Sequence, residues 1–99
     1  MNDNPHLGTE LKYKVTMTAT GFSMDENDWT VTISRGSASR TFTKADCIHG
    51  GDGWYVAFDT AAFGPGQYYG TLTAFVPDND FPDGTRTEVQ LVELDYVEP

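Results

Sequence analysis

Cys47 and His49 stand two residues apart, flanked by Asp46 and Asp52, and theirs are the side chains whose types could support nucleophilic chemistry. A thiolate nucleophile needs a base within hydrogen-bond reach and a third group to orient that base. This pair lies beside Gly50, Gly51 and Gly53, and neighbours in a glycine-rich loop do not hold such geometry. A zinc site asks for about four ligands, and besides carboxylates only Cys47, His49 and His6 could supply them. We read a small half-buried thiol beside a surface imidazole, and expect no catalytic residue, no enzyme activity and no cofactor.

The segment Asp78-Asn79-Asp80-Phe81-Pro82-Asp83-Gly84 comes nearest to a metal motif. An EF-hand loop places oxygen ligands at positions 1, 3 and 5, glycine at 6 and a bidentate glutamate at 12. Here Asp83 and Gly84 arrive one place late, Pro82 stiffens the middle, and position 12 is Val89. Asp78, Asp80 and Asp83 are weak calcium candidates on this count. Asp25, Glu26 and Asp28 could add ligands only if folding joined the two loops. Aspartate and glycine are equally what a long hairpin loop uses for its own turns, and that is the plainer reading.

Acidic pairs for glycoside hydrolysis are plentiful, but a chain of 99 residues has little mass with which to build a cleft. The aromatics are more informative. Trp29, Trp54 and Phe58 fit a core. Tyr55, Tyr69, Phe75 and Phe81 fall off the inward register or in a loop, and are the candidate binding residues if they reach the surface. Rings packing across strands on the second face are the structural alternative.

These residues must be positioned by a single domain. Six Lys+Arg against 15 Asp+Glu give a net charge of −9, which removes the electrostatic drive for binding nucleic acid or anionic membranes. With one cysteine no internal disulfide is available. Met1 to Pro5 lack the basic and apolar regions of a secretion signal, and the apolar runs are too short to span a membrane. The expected location is the cytoplasm when made, or a larger particle into which the chain is built.

Residues 1–10 show no periodicity and are expected to form a flexible arm, with the domain over 11–97. Leu11, Tyr13, Val15, Met17 and Ala19 then alternate with polar residues, as in a strand with one wet face. Trp29, Val31 and Ile33 make a second strand, which Arg35-Gly36-Ser37 turns into a third through Phe42. The glycines of 44–53 predict an irregular loop, after which Trp54, Val56 and Phe58 form the next inward row. Ala61-Ala62-Phe63 predicts one short helical turn, Tyr68 to Val76 a long strand, 77–84 a polar loop and Arg86 to Val97 a final strand. In that last strand the apolar set changes sides between Leu91 and Val92, which predicts a β-bulge or a strand that changes sheets. Six or seven strands with no amphipathic helix predict an all-β antiparallel sandwich. The first strand, with Lys12 and Lys14, and the last, with Glu88, Glu93 and Asp95, are expected as edges or as each other's neighbours.

Gly66-Gln67-Tyr68 has the Gly-x-Tyr form of the tyrosine corner that opens a late strand of immunoglobulin-like domains. Gly70 stands where antibody domains carry a cysteine, so the likeness is to the sandwich without its disulfide. Trp29-Thr30-Val31-Thr32-Ile33, Asp52-Gly53-Trp54-Tyr55-Val56 and Phe63-Gly64-Pro65-Gly66-Gln67-Tyr68 together resemble small Ig-like modules of tailed phages and prophages, including the N-terminal modules of baseplate upper proteins. Phe81-Pro82-Asp83-Gly84-Thr85-Arg86-Thr87-Glu88-Val89 is similar to short proteins of phage and mobile-element clusters in Bacteroides-type bacteria. The resemblance implies a non-catalytic virion or tail-assembly component that binds another protein by a sheet edge or a loop end. The alternative is a carbohydrate- or cell-surface-binding module that stacks sugars on Trp54, Tyr55, Tyr68 and Tyr69.

Overall fold

The computed structural model describes residues 3–99. Seven strands form two antiparallel sheets: β1 (Glu10–Val15), β2 (Asp28–Arg35), β3 (Ala38–Thr43), β4 (Ile48–Gly50), β5 (Gly53–Asp59), β6 (Gly66–Pro77) and β7 (Thr85–Val97). One sheet has the order β1-β5-β4 and the other β3-β2-β6-β7. Among the described residues no helix is long and apolar enough to cross a membrane.

Alternation builds the core. Trp29, Val31 and Ile33 of β2, Val56 and Phe58 of β5, and Tyr68, Leu72, Ala74 and Val76 of β6 are buried between the sheets. Phe58 is the hub of the rings, with centroids 5.4 Å from Phe63, 6.0 Å from Tyr13 and from Tyr68, and 6.5 Å from Phe42.

The strand order is that of an immunoglobulin-like sandwich, with β1, β5 and β4 in the places of strands B, E and D and β3, β2, β6 and β7 in those of C′, C, F and G. In the described residues the place of strand A holds only a single parallel bridge between His6 and Glu98. The tyrosine corner is formed: the Tyr68 hydroxyl donates to the carbonyls of Gly64 (2.7 Å) and Thr60 (3.2 Å). Thr60 to Ala62 make the short helical turn, as one turn of 3-10 helix. Gly64, before β6, and Gly66, its first residue, have φ of 96° and 132°, a region costly for any residue with a Cβ.

Four expectations change. The first strand stops at Val15 instead of reaching Ala19, because its partner β5 begins at Gly53 and leaves nothing to pair with beyond Trp54. The glycine-rich segment contains a strand after all: Ile48 to Gly50 pair with Gly53 to Tyr55 around a tight turn at Gly51 and Asp52. The glycines there serve a hairpin.

The final strand stays in one sheet, and its irregularity lies nearer the end. Gln67 pairs with Tyr96 but Tyr69 with Glu93, so Leu94 and Asp95 together oppose Tyr68 as a bulge. The side change at Leu91 and Val92 needs no bulge, because Val89 and Leu91 face solvent at 60% and 76% exposure. The arm, finally, is tied down from Pro5 onward. Leu7 N–H donates to Glu98 O and Glu98 N–H to Pro5 O, both at 2.8 Å, and Thr60 N–H donates to Thr9 O at 3.1 Å.

Candidate functional site

The binding candidates fall on different surfaces. Tyr69 and Phe75 share the outer face of β6, six residues apart and so roughly 20 Å from each other along the strand. Tyr69 is exposed and Phe75 half-buried. Tyr55 lies on the opposite sheet, where its hydroxyl donates to Asp52 at 2.8 Å and Lys12 Nζ sits 4.7 Å from its ring centre. Phe81 is exposed at the tip of the 77–84 loop. The four do not form one patch.

Nor do the four rings considered for sugar stacking. Tyr68 is fully buried, and one face of Trp54 is already covered by His49, whose ring stacks at 4.1 Å and 2°. The same tryptophan donates from Nε1 to Asp25 Oδ1 at 2.9 Å and meets Trp29 edge-on at 5.6 Å. Lys44 Nζ stands 5.3 Å from the Trp54 ring centre and donates to the Asp25 and Asn27 carbonyls at 2.6 and 3.1 Å. Trp54, His49, Lys44 and Asp25 thus form a latch that fixes the loop between β1 and β2 onto the β4–β5 hairpin.

That latch takes His49 away from Cys47. The thiol is half-buried, and burial, followed by the nearby Asp46 charge, pushes its pKa up. Asp46 itself is committed to Thr43, accepting from its N–H and its hydroxyl at 3.0 Å, and these bonds hold its carboxyl below the usual range. Both effects disfavour the thiolate that nucleophilic chemistry requires.

Of the calcium candidates Asp78, Asp80 and Asp83, the first is engaged inside the loop. Asp78 accepts from the Asp80 N–H at 3.0 Å and from the Arg86 guanidinium, and in that order these hold its carboxyl low. Its own N–H donates to Gly84 O at 2.9 Å. Asp25 is engaged with Trp54 and His49, so the two acidic loops do not pool their carboxylates. No group of three or more metal-ligating residue types converges among the described residues.

The feature that chemistry-bearing motifs did not announce is the free side of the sandwich at β1 and β7. Each has a neighbour on one side only, leaving a row of N–H and C=O groups without ladder partners on the other. On the outer face of β7 and its neighbour β6, Tyr69, Val89, Leu91 and Tyr96 are exposed at 46%, 60%, 76% and 45%. Between the two edges an apolar cleft of ≈ 210 Å³ opens toward the core, lined by Tyr13, Val15, Ile33, Val56, Leu72, Val92 and Leu94. The Tyr13 hydroxyl crosses it to donate to Asp95, and burial and then this carboxylate keep the phenol protonated far above its usual range.

No family model, curated protein or solved structure matches the chain.

Proposed function

We propose that this domain is a non-catalytic structural and assembly module of a phage or prophage particle, engaging a protein partner through the open β1–β7 side. The observation that carries the binding role is the aliphatic row Val89 and Leu91 on the edge strand β7, flanked by Tyr96 of the same strand and Tyr69 of β6. Apolar side chains along an open ladder suit a partner that adds backbone hydrogen bonds and buries those side chains together. The particle assignment is supported by the resemblance of residues 11–97 to Ig-like phage modules, and the net charge of −9 argues against a nucleic-acid partner.

The test is made on particles induced from the host strain. The chain is expected in purified particles, and a photo-crosslinking amino acid at Leu91 is expected to yield an adduct with a particle protein while one at Glu26 yields none. Absence of the chain from purified particles overturns the reading.

A further inference from the structure

The open side carries its own complement. β1 presents Lys12 and Lys14 on its outer face, whereas β7 carries Glu93 and Asp95 near its end. Both strands are edges, and they border the same cleft rather than opposite sides of the sandwich. They also run antiparallel. Leu7 meets Glu98, Tyr13 reaches Asp95, and Val15 and Thr16 share the cleft with Val92.

A two-fold axis along the strands, set beside this face, would bring the β1 edge of one copy against the β7 edge of another and repeat the contact reciprocally, as an isologous interface requires. The heights of the strands within one chain then fix the register. Lys14 faces Glu93, and on the inner side Tyr13 and Val15 lie opposite Leu94 and Val92, while Asp95, in the bulge, stays turned to the Tyr13 hydroxyl of its own chain. Opposite charges meet on the wet face and apolar groups on the dry one. The net charge of −9 opposes association. At physiological salt, however, charge is screened beyond about 8 Å, so the facing pair acts at contact while the diffuse repulsion is damped.

We infer that the partner of the open β1–β7 side is a second copy of this chain, joined so that β4-β5-β1 of each continues into β7-β6-β2-β3 of the other. The inference rests on the reading of that side as a docking edge and names its occupant. The basic strand of an otherwise acidic chain is the argument for that choice.

Sedimentation of the purified chain from about 1 µM to about 1 mM, the range spanning moderate to weak affinities, is expected to show conversion to twice the 10.9 kDa mass. K14E and E93K are each expected to weaken the dimer at least tenfold, and the double variant K14E/E93K to restore it. Lys14 and Glu93 are exposed, and the Lys14–Asp52 pair at 3.8 Å is a surface contact of little worth to folding. As an independent probe, K14C/E93C in a C47S background is expected to give a covalent dimer on oxidation. A chain monomeric throughout overturns the inference, as does a dimer indifferent to both charge reversals or a cysteine pair that fails to link copies. Any of these three results leaves the particle test above untouched, since another protein could still dock there.

Discussion

The Cys47 thiol is shielded and has its pKa raised by burial and by Asp46, and so should react with maleimide far more slowly in the native protein than after denaturation. Equal rates, followed by mass spectrometry, would contradict the packing described. Asp78 matters to its loop as an acceptor for Asp80 N–H and Arg86. Its pKa is lowered on folding, as are those of Asp46 and Asp52, the last chiefly by the Tyr55 hydroxyl. Groups depressed on folding bind protons more readily when unfolded, so their stabilisation is present above a pH of about 4 and is lost as pH falls below it. Urea midpoints should therefore drop between neutral and strongly acidic pH, and D78N should flatten part of that drop. The sequence marked Cys47 and the acidic loop as the residues to examine. It could not tell that His49 would stack on Trp54, because that contact depends on a hairpin register which only the folded pair of strands defines.

At the level of the elements, the turn before β6 does the most to set strand geometry. Gly64 is held at positive φ, and a Cβ there would come within 2.9 Å of Arg35 Nη2, whose guanidinium donates to Phe63 O. G64A should destabilise by about 1 kcal/mol or more from the backbone alone, measured by chemical denaturation. Y68F removes the hydroxyl bonds of the tyrosine corner and should cost about 0.5–1.5 kcal/mol without altering the strand content. Gly66-Gln67-Tyr68 was legible in the sequence because its chemistry is local. The fate of Val89 and Leu91 was not. Alternation assigns a residue to one of two faces, but which face meets the other sheet is decided by the packing of the sandwich, and Val89 and Leu91 are on the face of β7 turned away from the three-stranded sheet.

For the molecule as a whole, stability concentrates in the ring cluster around Phe58, which joins both sheets. F58A should cost about 3–5 kcal/mol, a large fraction of the 5–15 kcal/mol typical of a domain, and show as a lowered melting temperature in circular dichroism. The sandwich itself followed from alternation in Trp29 to Ile33, Trp54 to Phe58 and Tyr68 to Val76, since period two admits no other element. The docking of Pro5 to Thr9 did not follow, because isolated backbone bonds leave no periodic trace. Those bonds place His6 beside Glu98, at the pole where β1 begins and β7 ends. The loops after β1 and β6, joined where Arg86 Nη2 donates to Thr20 O, gather at the far pole with the Asp52 turn. The pole away from both ends is accordingly rich in carboxylates, with Asp25, Glu26, Asp52, Asp80 and Asp83 all exposed.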